Sequence, residues 1–314
     1  MRPTRSLFPY LALLSGILAL GFSAIFVRWA NAPAPVMGVY RLAIAALFLT
    51  PFYLRNNRKN GKLRKEFLIF PVGAGLLTAF DHGLFNLSIS YTTAGNAALL
   101  SNTSPLWVAL VAWLFFKEKL KRGFWVGLIL ALFGAIIVLG SDFLLHPQLG
   151  IGDLIALASA GFYAGYYLIT QLGRERIDTL TYIWIVEVTA CAGLLVWSLI
   201  SRAPLTGYPV KTYLAFIGAG LFSQTVGYLS VAYALGHLPA SMVAPTMIGQ
   251  PIVTALIAVP ILNEVLTPVQ LIGGGVVLAG IYLVHKSRQR AAAEERVISN
   301  RRLGTDDREN ENGI

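Results

Sequence analysis

The chain has 314 residues, 56% hydrophobic and 13% charged, with a mean hydropathy of +0.65 and a formal net charge of +10. So much apolar surface exceeds what one soluble core buries, so a soluble two-domain reading is excluded and lipid must cover the remainder. The single cysteine, Cys191, excludes an intrachain disulfide.

About 20 apolar residues cross the roughly 30 Å hydrocarbon layer of a bilayer. Runs of that length predict ten spans in chain order: 7–27, 33–54, 67–90, 93–116, 121–140, 151–172, 178–201, 211–235, 239–261 and 267–285. They are continuously apolar rather than alternating, so they are helices and not barrel strands. The first is too long for a signal peptide, and no small-residue cleavage site follows it. Residues 286–314 are polar and mixed in charge, which predicts a disordered cytoplasmic tail.

The basic residues are unevenly placed. With the N-terminus inside, the cytoplasmic side collects Arg2, Arg5, the loop from Arg55 to Lys65, Lys117, Lys119, Lys121, Arg122, Arg174, Arg176 and the tail; the outer loops hold Arg28, Arg202 and Lys211. This asymmetry follows the positive-inside rule, so the charge records orientation in a plasma (inner) membrane and not a nucleic-acid partner. Both termini are expected on the cytoplasmic side.

Shifting the chain by 146 residues lays "TAGNAALLSNTSPLWVALVAWLFFKEKL" on "PASMVAPTMIGQPIVTALIAVPILNEVL". Pro105 meets Pro251, Glu118 meets Glu264, and the match runs on until Gly127 and Gly134 meet Gly273 and Gly280. Residues 1–140 and 151–285 are therefore read as two repeats of five helices each. Five is odd, so the second enters the membrane inverted, the architecture of secondary carriers with a midplane site between the halves.

The segments "LGFSAIFVRW", "VYRLAIAALFLTPF" and the paired "SPLWVALVAWLFFKEKL" and "QPIVTALIAVPILNEVL" resemble the EamA-type members of the drug/metabolite transporter superfamily over residues 7–285. Span 1 departs from the family in having Leu20-Gly21 where Trp-Gly is common. The resemblance implies an all-α, ten-helix integral membrane carrier of a small organic metabolite such as an amino acid, in most members an exporter.

Ionisable side chains at bilayer depth are candidate functional groups. They are Arg41 in span 2, Asp81 and His82 in span 3, and Glu187 in span 7. Arg41 lies about 12 Å and Asp81 about 13 to 14 Å from the outer ends of their spans, so the two could pair. Arg41 then either holds a substrate carboxylate or only neutralises Asp81. Glu187 is the repeat image of Arg41, with no basic residue at matching depth, which suits a proton or a cationic amine. Trp184 is expected to share its face. His82, with Thr78 and Asn86 at helical spacing, extends a polar path or is a satisfied core histidine. Gln224 and Tyr228 share a face of span 8, Gln250 precedes Pro251, and Tyr163, Tyr166 and Tyr167 decorate span 6.

"SNTSP", residues 101–105, interrupts span 4 near the midplane and corresponds to "MIGQP" in span 9. Pro105 and Pro251 each remove a backbone donor, leaving the carbonyls of Ser101 and Met247 to find other partners, with hydroxyls adjacent in span 4 and Gln250 available in span 9. The two stretches are read as helix breaks facing a cavity, with Asn102 the foremost substrate contact. Glu118 and Glu264 are expected to hold helix ends, and the glycines of spans 5 and 10 to serve close packing.

An enzyme is disfavoured. "GIGD" at 150–153 matches the Gly-x-Gly-Asp of intramembrane aspartyl proteases, but Gly-Asp there is an ordinary helix entry, and Asp81 and His82, adjacent on a helix, should diverge. No motif calls for a metal or another cofactor. The expected partners are a small-molecule substrate, the lipid bilayer and protons as coupling ion, with the chain a monomer or homodimer. The alternatives are an exchanger of phosphorylated compounds or nucleotide sugars, which would need more intramembrane cations than Arg41, and a non-transporting scaffold or receptor.

Overall fold

The computed structural model describes residues 7–60, 63–139, 150–262 and 266–311, and its regular elements are all helical. Eight stretches among these residues are long and apolar enough to cross a membrane. They are α1–α2 (Phe8–Gly21, Ser23–Ala30), α3 (Ala34–Asn60), α4 (Ile69–Ser88) with the turn before it, α5–α6 (Ala94–Ser101, Ser104–Leu114), α9 (Thr179–Ile200), α10–α11 (Val210–Gly218, Tyr228–Leu235), α12–α13 (Ala240–Met247, Gln250–Leu262) and the first part of α14 (Pro268–Glu311). Two further helices fall where spans 5 and 6 are expected. Of these α7 (Arg122–Leu139) is apolar but shorter, and α8 (Ile151–Arg174) is 24 residues long but carries Asp153, Gln171 and three tyrosines. The chain is a multi-pass membrane protein.

The helices reproduce the repeat. A shift of 146 residues carries Ala94–Ser101 onto Ala240–Met247 end for end, Ser104 onto Gln250, and the start of α7 onto the start of α14. Repeat-related α7 and α14 pack against each other through their glycines. A Cβ on Gly127 would lie 2.8 Å from the Gly280 carbonyl oxygen, and one on Gly134 would lie 2.6 Å from the Val277 nitrogen. Small residues let the backbones touch, which is how helices gain contact in lipid without a hydrophobic driving force. Elsewhere the halves interlock: α8 packs on α4, α5 and α6, and α9 packs on α3 and α4.

Both breaks lie at the expected positions. α5 stops at Ser101 and α6 resumes at Ser104; α12 stops at Met247 and α13 resumes at Gln250. Each proline sits in the first turn of the new helix, where its missing N–H costs nothing. Asn102 Nδ2 caps the Ala98 carbonyl at 2.8 Å and Thr103 Oγ1 the Leu100 carbonyl at 2.6 Å. Gln250 does not turn back along its own span as expected. It crosses to the Leu20 carbonyl (3.2 Å), while Thr254 reaches the Gly21 carbonyl (3.0 Å), so α13 satisfies the end of α1. A π-helical segment, Ala219–Gly227, lies between α10 and α11 where the sequence predicts a continuous helix, and within it Thr225 Oγ1 donates to the Gly220 carbonyl at 2.8 Å.

The last helix continues to Glu311, although a disordered tail was expected from 286. Lys286 to Leu303 contains no glycine or proline and is rich in Ala, Glu and Arg, all strong helix formers, so the helix runs on past the membrane. Glu264, expected to hold a helix end, lies outside the described residues.

Candidate functional site

A cavity of about 210 Å³ lies where the two breaks face each other. Leu20 and Ser23 from the first span, Arg41 from α3, Asp81, His82 and Phe85 from α4, and Ser101, Asn102, Ser104 and Pro105 from the first break line one part of it. Tyr163 and Tyr167 from α8, Tyr228 from α11, and Ala244, Met247, Ile248 and Gln250 around the second break line the rest, so both halves contribute.

A hydrogen-bonded chain runs through this wall. Arg41 Nη1 donates to Ser23 Oγ at 3.2 Å, and Nη2 meets Nε2 of His82. A guanidinium only donates, so Nε2 accepts and the His82 proton sits on Nδ1, which donates to the Thr78 carbonyl at 2.9 Å. The same Nδ1 is 3.3 Å from Asp81 Oδ2. Ser159 Oγ donates to Asp81 Oδ1 at 2.6 Å and lies 3.4 Å from Ser101 Oγ. Arg41 Nε is buried and has no acceptor among the described residues.

The anticipated direct Arg41–Asp81 pair is therefore replaced by a relay through His82. Asp81 and His82 do not diverge either: the imidazole folds back toward the preceding turn, as long helical side chains do, and that brings Nδ1 to Asp81. Ser23 and Ser159 were not singled out from the sequence, because a serine among small apolar residues carries no signal until a partner faces it.

Tyr163, Tyr167 and Tyr228 line the cavity, and Tyr166 packs against them outside its wall. Tyr167 Oη donates to Tyr163 Oη at 2.9 Å, Tyr166 is edge-on to Tyr228 with centroids 5.8 Å apart, and Tyr166 and Tyr167 are fully buried.

Four of the candidate residues lie elsewhere. Glu187 is 0% exposed, and both its oxygens accept from Gln224 Nε2, at 2.9 and 3.0 Å; neither residue is in the cavity wall. Trp184 does not face the same way: it stacks on Tyr53 of α3 at 3.9 Å and donates to Thr50 Oγ1 at 3.0 Å. Pro251 is likewise outside the wall, with Gln250 in it.

Glu118 accepts from Ser241 Oγ at 2.6 Å and pairs with Arg288 at 3.0 Å, tying the end of α6 to α12 and α14. Asp153 accepts from its own Gly150 N–H at 2.9 Å and from Thr92 Oγ1 at 2.7 Å, the geometry of a helix entry.

The profile of the EamA-like transporter family matches residues 7–140 and again 150–285. An uncharacterized transporter of Methanothermobacter thermautotrophicus is 26% identical over 301 residues, covering 90% of this chain and 87% of its own. The uncharacterized transporter YdfC of Bacillus subtilis is 24% identical over 86% of this chain and 88% of its own. A protein of Streptantibioticus cattleyicolor named as a probable terminal-alkyne amino-acid exporter is 24% identical over 85% of this chain and 94% of its own. A solved crystal structure superposes with a TM-score of 0.74 over 90% of this chain and 98% of that one; at 16% identity it speaks for the fold alone.

Proposed function

The chain belongs to the EamA-like transporter family, and we propose that it is a ten-span secondary carrier, termini in the cytoplasm, that moves an amino acid or related zwitterion outward. The observation that carries the substrate class is Arg41, which lines the cavity and whose buried Nε finds no acceptor among the described residues. Buried polar groups are rarely left unpaired, and a carboxylate is the acceptor that a guanidinium fork fits. Asp81 and the faces of Tyr163, Tyr167 and Tyr228 stand ready for the ammonium group. Glu187, screened from the cavity, is not assigned that part.

The cavity volume suits a ligand of amino-acid size. Among the described residues Arg41 is the one Arg or Lys in the wall, which argues against phosphorylated compounds and nucleotide sugars with their several negative charges. Outward movement is supported by the name of the Streptantibioticus cattleyicolor relative, and orientation by the basic loops. The family's inverted repeat supports alternating access around the shared cavity.

The test is counterflow in proteoliposomes preloaded with single amino acids, nucleosides, polyamines or sugar phosphates. Exchange is expected for one or more amino acids and is lost in Arg41→Ala; exchange confined to sugar phosphates or polyamines, or no exchange of any compound, overturns the reading.

A further inference from the structure

The inverted repeat makes a comparison that the cavity alone does not. The same 146-residue shift that carries Arg41 onto Glu187 carries Thr78 onto Gln224 and His82 onto Tyr228. In the first half, Arg41 and His82 open on the cavity, with Thr78 buried beside His82. In the second, the equivalent pair Glu187–Gln224 is sealed, at 0% and 1% exposure. Pseudo-equivalent positions thus hold opposite charge types in opposite states of access.

The hydrogen-bond inventory of the sealed pair is incomplete. Gln224 Nε2 is the one hydrogen-bond donor to Glu187 among the described residues, and it serves both carboxyl oxygens. Gln224 Oε1 is buried and receives no donor among the described residues. The ionisable groups around Glu187 are Arg41 on α3, Tyr166 on α8, Tyr228 on α11 and Cys191 one turn along α9. From α4 it is Gly75 and Ala79 that pack on this part of α9. Arg41 is engaged with Ser23 and His82, so an ionised Glu187 would be a buried charge with no ion-pair partner, beside an orphaned acceptor. One proton removes the first defect: the carboxyl becomes neutral and gains a donor of its own.

We propose that Glu187 and Gln224 form a proton-binding site outside the substrate cavity, occupied in this conformation and opened to water in the alternate one. The claim rests on reading the protein as an alternating-access carrier. In such a carrier the two inverted halves exchange conformations, so the environment that Arg41 has here becomes that of Glu187. Proton occupancy then biases which state is populated. A physical link is at hand, because Gln224 belongs to the π-helical segment. There Gly220 lies against α3, where an added Cβ would be 3.1 Å from the Arg41 carbonyl oxygen, and the segment leads straight into Tyr228 of the cavity wall.

Two measurements on the full chain in lipid test this without any substrate, so their failure is separate from that of the amino-acid reading. Infrared difference spectra at neutral pH should show a carboxylic-acid C=O band that Glu187→Gln removes and Asp81→Asn keeps. In a Cys191→Ala background with Phe85→Cys in the cavity wall, labelling by an impermeant maleimide should report access. Normalised to the same protein carrying Glu187→Gln, the rate should fall about fivefold as Glu187 gives up its proton and the sealed state is lost. Absence of the acid band, or parallel labelling profiles with and without Glu187→Gln, overturns the proposal.

Discussion

Arg41 on α3 and His82 on α4 share a hydrogen bond from Nη2 to Nε2, and that contact fixes the histidine tautomer by leaving its proton on Nδ1. The histidine in turn connects the arginine to Asp81 without a direct ion pair. Arg41 lines the cavity, and its buried Nε finds no acceptor among the described residues.

Arg41→Lys is expected to fail almost as badly as Arg41→Ala. An ammonium is a point charge that cannot serve Ser23, His82 and a ligand at once. Charge-assisted hydrogen bonds are worth about 1.5–3 kcal/mol, so apparent affinity for a transported amino acid should fall about tenfold to a hundredfold. Concentration dependence of counterflow reads this, and a Lys variant with parental affinity would refute the fork geometry.

Asp81→Asn and Asp81→Ala should separate. The amide oxygen of Asn can still accept from Ser159, whereas Ala leaves that buried hydroxyl only its longer contact with Ser101. The loss of thermal stability in detergent should correspond to about 1–3 kcal/mol for Ala and to less than half of that for Asn. Equal losses would mean that the charge, not the hydrogen bond, matters there.

Trp184→Phe keeps the stack on Tyr53 and loses one hydrogen bond to Thr50, away from the cavity. Its transport affinity should stay within about twofold of the parent while the stability cost is about 1 kcal/mol. Asn102→Leu, in the cavity wall, should weaken affinity more than that. The reverse order would place the substrate beside α9 instead.

Gly134→Ala puts a Cβ 2.6 Å from the Val277 backbone nitrogen, and backbone cannot step aside as a flexible side chain can. Overpacking of this kind costs about 1–3 kcal/mol. Gly275→Ala, on the same helix as Val277 with nothing within 4 Å, should instead be neutral or stabilising by up to about 1 kcal/mol. Melting temperatures of the two purified variants decide it.

Arg288→Ala should cost more than Lys121→Ala. Arg288 and Glu118 are each only 16% exposed, and Glu118 also accepts from Ser241, whereas Lys121 and Glu294 are 40% and 63% exposed. Exposed pairs contribute about 0–1 kcal/mol, and a half-buried one that leaves its partner unpaired costs about 1–3 kcal/mol. Similar melting temperatures for both variants would show that water reaches Glu118 freely.

Lipid as solvent, helices as the spanning element, the 146-residue repeat and the two proline breaks were legible in the residues alone, since each depends on composition or on spacing along one chain. Helix ends were legible only where glycine or proline marks them: Pro105 and Pro251 announce their breaks, but nothing in "AGLFSQTVG" announces a π-helical segment, and nothing in "KSRQRAAAEER" stops a helix at Lys286.

The chemistry of Arg41, Asp81 and Glu187 was equally visible as charge at bilayer depth, because a bilayer penalises charge wherever it falls. Partners were not, because a side chain's partner is chosen by which helix faces it. Asp81 is bonded by Ser159, 78 residues away, Gln250 by a carbonyl 230 residues away, and Glu187 by a glutamine 37 residues away. The sequence thus determined what had to be buried and where the helices could break; interlocking of the two halves decided which charge opens on the cavity and which is sealed behind it, since access depends on packing across the repeat.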